Sequence, residues 1–180
     1  IESEGVNRRD FMKWVSATTA TLMLPPMFAP LVAEATELMN RVPVIWIELQ
    51  DCAGNTEALL RSSAPTVDDL LFDVLSLEFH HALMACAGND AEHQLDDAVE
   101  HFKGKYLLFV EGSIPTAMNG NYGTIGPSGE TFQEHLARLS KDAAAVVAVG
   151  TCATFGGVPA ASPNPTGAVG VMDLVKGKPI

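Results

Sequence analysis

Basic residues are scarce in this chain: 11 Lys plus Arg stand against 22 Asp plus Glu, for a formal charge of −11. A polyanion would be repelled unless those few cations were clustered, which argues against a nucleic-acid partner. Cysteine is sparse too, with only Cys52, Cys86 and Cys152 among 180 residues. Three is odd and too few for a disulfide framework, so thiol chemistry or a metal becomes the question, against the plainer account of small buried hydrophobes. No apolar run spans a bilayer uninterrupted, because Pro25, Pro26 and Pro30 break the longest one. Internal repeats and low-complexity segments are also missing. What remains, with 47% hydrophobic residues, suits one globular domain with a substantial core.

The first forty residues read as an address. "NRRDFMKW" sets Arg8 and Arg9 just ahead of Phe11, Met12 and Lys13, and a moderately apolar stretch follows. The pattern resembles a twin-arginine export signal, and Ala33-Glu34-Ala35 offers an A-x-A cleavage site. The expected organisation is a leader over residues 1–35 and a folded domain over 36–180. The resemblance implies export of a protein already folded, often with its cofactor inserted beforehand.

Beyond position 42, short apolar runs alternate with amphipathic stretches. "VPVIWIEL" (42 to 49) is β-branched and nearly all apolar, as in a strand buried on both faces of a parallel sheet. A helix is expected to start at Thr66 and pass into a strand in "VLSLEFH". Further helices are expected over 89–102 and 128–143, and further strands over 106–114 and 144–153. The repeated strand-crossover-strand order predicts an α/β fold, a doubly wound, mainly parallel sheet of flavodoxin-like order. Cys52 then follows strand 1, Gly112-Ser113 follows strand 3 and Cys152 follows strand 4. All three loops lie at the carboxyl ends of the strands, where open α/β sheets place ligands, and strands 1 and 4 flank strand 3 at roughly 10 Å from each other.

Iron-sulfur clusters require soft, anionic thiolate ligands. "LQDCAGN" looks like half of a C-x-x-C step: Cys52 is followed by small Ala53 and Gly54, but asparagine stands at position 55. "GTCATFGG" places Cys152 among glycines in the same manner. As bare pattern, two cysteines in glycine-bearing loops are as often structural as functional.

Taken together, "DCAGNTEALLR", "VEGSIPTAMNGNYG" and "GTCATFGGVPAASPNPTGAVGV" resemble, in order and spacing, the N-terminal domain of the small subunit of nickel-iron hydrogenases. The resemblance implies a flavodoxin-like domain holding a [4Fe-4S] cluster beside the nickel-iron centre of a separate large subunit. It implies Cys52 and Cys152 as cluster ligands, a fourth ligand beyond Ile180, and further iron-sulfur clusters in a C-terminal region; the chain is accordingly expected to be a piece of a longer small subunit. A membrane cytochrome or another electron acceptor on the periplasmic side is implied as well. Asn55 is the departure. Its amide, or the carboxylates of Asp51 or Glu57, could replace the usual thiolate, or the cluster could be lost. Asp51 and Glu57 also match acidic positions near the subunit contact, where a carboxylate assists proton movement; helix capping is the simpler role for Glu57.

Other features carry less. Gly54 and Gly123 stand where extra cysteines would encode the oxygen-tolerant arrangement, so tolerance by that route is not expected. Cys86 is expected to be an ordinary buried thiol. "GPSGET" is phosphate-loop-like except that Glu130 replaces the required lysine. His80 and His81 are adjacent and so face apart in a strand, and His93, His101 and His135 are expected on solvated helix faces. "PNPTG" (163 to 167) is expected to be a rigid turn leading into a helix. Two other function classes stay open: the iron-sulfur subunit of a related respiratory complex, and a flavodoxin-like binding or assembly module with a decayed cluster site.

Overall fold

The computed structural model describes residues 41–180, so the paired arginines and the expected cleavage site lie outside the described residues. Four strands form the central sheet: β1 (Val42–Glu48), β2 (Leu75–His80), β3 (Leu107–Glu111) and β7 (Ala145–Val149). Their order is β2-β1-β3-β7 and every pairing is parallel, as the strand-crossover-strand pattern predicts. Helices α1 (Gly54–Leu60), α2 (Asn89–His101) and α3 (Phe132–Asp142) lie in the crossovers. Two small antiparallel ribbons are added, β4 (Ile114–Pro115) with β8 (Ala168–Val169) and β5 (Thr124–Ile125) with β6 (Glu130–Thr131). Short helices α4 (Gly150–Phe155) and α5 (Val171–Leu174) follow β7 and β8.

The apolar run of β1 is buried as expected: Val44, Ile45, Trp46 and Ile47 lose contact with water. Ile45 and Ile47 join Leu95 of α2, Leu108 and Val110 of β3, and Leu136 and Leu139 of α3 in one core. Burying each such side chain stabilises the fold by about 1.5–3 kcal/mol. No helix among the described residues is long and apolar enough to cross a membrane.

Several local expectations are corrected. The strand predicted over 144–153 ends at Val149 because Gly150, at φ 79°, turns the chain straight into α4. Cys152 therefore sits in the first turn of a helix and not in an open loop. The helix expected from Thr66 is a single capped turn, Val67–Asp69, followed by a wider π turn, Leu70–Val74, that delivers the chain directly to β2. Helix α3 starts four residues later than expected. Thr131 and Glu134 form a reciprocal capping box there, which fixes its first turn. "PNPTG" feeds strand β8, with Thr116 N–H donating to Thr166 O at 3.1 Å, before α5 begins.

Candidate functional site

Parallel register places like-numbered strand ends side by side. Glu48 of β1 pairs with Glu111 of β3, and Glu111 pairs with Val149 of β7, so two acidic residues close adjacent strands at the carboxyl edge. Cys52 lies in the turn after β1 and Cys152 in the helix after β7, so the two cysteines flank the end of β3 on that same edge. Cys52 is exposed and Cys152 half-buried, and both are free thiols.

Glycines clear the space around both sulfurs. A Cβ on Gly157 would meet Cys152 Sγ at 2.5 Å, and one on Gly54 would meet Cys52 Sγ at 3.1 Å. Gly157 also has φ 59°, a conformation that side-chain-bearing residues rarely adopt. The missing side chains let each sulfur lie close against the backbone, and the donor set of soft sulfur suits iron. The residues present thus fit an iron-sulfur cluster as far as the described chain extends.

Glu111 organises the edge, although nothing in the sequence analysis points to it. Its side chain is fully buried. Oε1 accepts from Asn55 N (2.8 Å) and Asn55 Nδ2 (3.1 Å); Oε2 accepts from Thr56 N (3.1 Å) and Thr56 Oγ1 (2.8 Å). Helix α1 has no capping side chain of its own, so this carboxylate from a neighbouring strand satisfies its first N–H groups. The signal that could have revealed it is an acidic residue closing an apolar strand, "LLFVE", since such a group is buried only when donors are waiting for it.

Thr56 is the hub beneath. Its hydroxyl lies 2.9 Å from Glu48 Oε1 and 3.3 Å from His80 Nε2 in addition to Glu111. His80 Nδ1 accepts from Ala82 N at 3.2 Å, so the ring proton belongs on Nε2, facing Thr56. The carboxylates of Glu48, Asp51 and Glu111 come within 4.8 Å of one another. Burial raises the Glu48 pKa, and burial together with the charges of Glu48 and Glu111 pushes Asp51 up to about 6.

The other candidate residues separate. Glu57 is exposed and pairs with Arg61 at 2.5 Å on α1, away from the carboxylate group. Cys86 is only partly buried, with Sγ donating to Gln94 Oε1 at 2.7 Å, which corrects the expectation of a fully buried thiol. Glu130, which spoils the phosphate-loop pattern, accepts from Arg138 Nε and Nη2 at 3.0 Å each. His80 stacks on Trp46 at 5.0 Å and His81 on His135 at 5.9 Å, so the adjacent rings meet different neighbours. His135 is a correction: it is fully buried, with Nδ1 2.8 Å from Glu130 Oε2, because its side of α3 is inside the molecule. Burial lowers its pKa, and it pushes His81 down to about 4. Beyond Cys152, Phe155 and Val158 are 76% and 85% exposed, the two most exposed large apolar side chains among the described residues.

Comparison with known proteins adds the wider context. A family model described as "NADH ubiquinone oxidoreductase, 20 Kd subunit" matches residues 52–180. The chain is 50% identical over its whole length to the quinone-reactive Ni/Fe-hydrogenase small chain of Wolinella succinogenes, covering 51% of that protein. It is 44% identical over 172 residues, 96% of the chain, to the periplasmic [NiFe] hydrogenase small subunit 1 of Nitratidesulfovibrio vulgaris, of which 53% is covered. Among solved structures, the reduced, active Ni-Fe-Se hydrogenase from Desulfomicrobium baculatum superposes with a TM-score of 0.72 at 40% identity, over 75% of this chain and 51% of that one. The chain spans about half the length of the curated relatives it matches.

Proposed function

Since the chain belongs to the family described as the NADH ubiquinone oxidoreductase 20 kDa subunit, we propose that it is the cluster-holding part of the small subunit of a nickel-iron hydrogenase. In this reading it relays electrons between the hydrogen-activating centre of a large subunit and an acceptor. The observation that carries it is the delivery of Cys52 and Cys152 to one sheet edge, each sulfur facing a glycine cradle. A [4Fe-4S] cluster bound there supplies one-electron transfer. Cys52 and Cys152 hold iron, and Asp51 accepts and releases a proton at its carboxylate, its pKa raised first by burial and then by the charges of Glu48 and Glu111. Glu57 braces α1 through Arg61. Phe155 and Val158 cover the large subunit, since a permanent interface resembles a divided core.

The acceptor is the quinone pool, reached through a membrane cytochrome; the printed name of the Wolinella succinogenes relative supports a quinone-linked role. Residues 1–35 form a twin-arginine leader that places the mature protein on the periplasmic side, a location that the Nitratidesulfovibrio vulgaris relative also carries in its name. Further clusters belong to the longer subunit, whose relatives are about twice this length. The family description equally suits a quinone-linked respiratory subunit that faces the cytoplasm, and Arg8 and Arg9 favour the exported hydrogenase.

The test is anaerobic purification of the full-length subunit with its large partner, followed by iron, acid-labile sulfide and nickel analysis and a hydrogen-uptake assay with a dye acceptor. Expected are all three elements together, with dye reduction lost in Cys52→Ser. Iron and sulfide without a nickel-bearing partner would point to the respiratory reading, and absence of both would overturn the electron-relay role.

A further inference from the structure

At position 55 the resembled motif has a thiol and this chain has an amide. Three nearby side chains offer an oxygen in its place, and the geometry separates them. Glu57 is turned onto Arg61. Asp51 Oδ1 accepts from Ala53 N at 3.4 Å, and its carboxylate faces those of Glu48 and Glu111. Only Asn55 reaches across the end of β3 towards the segment that carries Cys152. Its Nδ2 donates to Glu111 Oε1 at 3.1 Å and to Val149 O at 3.4 Å, and its side chain rests where a Cβ on Gly150 would come within 2.4 to 2.7 Å.

Both of those neighbours are pure acceptors, so the amide has one acceptable orientation. Nδ2 faces the protein, and rotating the group by half a turn would set Oδ1 against a carboxylate and a carbonyl. Oδ1 then accepts from no donor among the described residues, yet it is not a buried orphan atom. It lies against Gly150, 2.5 Å from where a Cβ would stand there, on the helix turn that bears Cys152.

We infer that Asn55 Oδ1 is an iron ligand of the cluster, with Glu111 as the positioning residue that locks the amide for that purpose. This rests on the electron-relay reading above. Donation from Nδ2 to a carboxylate draws electron density towards Oδ1 and makes it a better donor to a cation, as an outer partner does for a ligating imidazole. An oxygen ligand suits iron less well than sulfur, so the orientation supplied by Glu111 offsets a weaker intrinsic bond.

The experiment uses the full-length heterodimer, purified without oxygen from cells fed asparagine labelled with carbon-13 at the side-chain carbonyl. Electron-nuclear double resonance on the reduced protein is expected to show a carbon-13 coupling that vanishes in Asn55→Cys. Mössbauer spectra should show about one iron of this cluster's four with an oxygen-type environment, on top of the irons of the other centres, converted to the sulfur type in Asn55→Cys. Glu111→Gln is expected to keep the iron content while changing the size of the coupling, which a purely structural role for Glu111 would leave alone. Asn55→Ala should release about one of this cluster's four irons and give a three-iron signal on oxidation that the wild type lacks. If Asn55→Ala fails to assemble, the labelled wild-type protein alone decides. A four-iron cluster with no carbon-13 coupling sinks the ligand assignment and leaves the relay standing; a wild-type protein devoid of iron and sulfide sinks both.

Discussion

Replacing Thr56 by valine and by serine separates the work of its hydroxyl from that of its methyl group. The side chain is 3% exposed, and its oxygen sits between Glu48, Glu111 and His80. His80 Nε2 supplies a proton to that oxygen, so the one hydroxyl proton serves one carboxylate at a time. Valine keeps the shape and removes the oxygen. It deletes one hydrogen bond to a charged group, about 1.5–3 kcal/mol, and strands the buried His80 N–H, a further ~1 kcal/mol or more. Serine keeps the oxygen and removes a methyl group, about 0.8 kcal/mol. The expected order is therefore a loss of about 3 kcal/mol for Thr56→Val against about 1 kcal/mol for Thr56→Ser. Urea unfolding of the purified subunit, followed by circular dichroism, gives both values from the midpoints. Because the Thr56 hydrogen bond lowers the Glu48 pKa that burial raises, its removal moves Glu48 further up, and the valine penalty should shrink towards pH 4. Serine costing as much as valine would refute the reasoning, since it would mean that packing and not the hydroxyl holds the edge together.

Four further outcomes are expected. Redox titration of the heterodimer should give a lower cluster potential for Asn55→Cys than for wild type, because a thiolate adds one negative charge to the site; an unchanged or higher value counts against an amide ligand. Asp51 holds a proton more tightly folded, with its pKa raised from 3.8 to about 6, so the folded state loses stability from this group as pH climbs between those values. Asp51→Asn should match wild type below pH 4 and melt at a higher temperature above pH 6, and parallel melting curves across that range would contradict the raised pKa. Gly157→Ala should cost about 1–3 kcal/mol from its backbone alone, since φ 59° with ψ −147° is a conformation essentially reserved for glycine, and should also lower bound iron, since the new methyl group collides with Cys152 Sγ; full iron content would show that the cradle has slack. Phe155→Asp should weaken association with the large subunit by at least ~2 kcal/mol, roughly thirtyfold, as read by co-purification yield and interferometry, and unaltered binding would remove that face from the interface.

How much of this could be read from the chain varies with the kind of signal. Strands β1 and β3 are legible because buried parallel strands are continuous apolar runs, and the sheet order follows from the crossover pattern. The arrival of the Cys52 and Cys152 segments at one edge is legible because topology alone sends the carboxyl ends of such strands there. The start of α4 is not, since "AAVVAVGTCA" stays apolar across the point where Gly150 turns strand into helix. His135 misleads for a related reason: its polar neighbours Glu134 and Arg138 suggest a wet face, whereas the ring is enclosed by Glu130 and His81 from elsewhere in the chain. Glu111 escapes notice because its four donors come from residues more than fifty positions earlier, a relation that no local spacing records.

That long-distance cap has a consequence for assembly order and for transplantation. The short helix after Cys52 borrows its terminating carboxylate from a strand made later, so the turn that aims the first thiol cannot settle until β3 has docked beside β1. In the proposed reading, metal loading then follows closure of the sheet. A graft of residues 51–56 onto another open α/β scaffold will hang loose unless an acidic residue arrives with it at the tip of the adjoining strand.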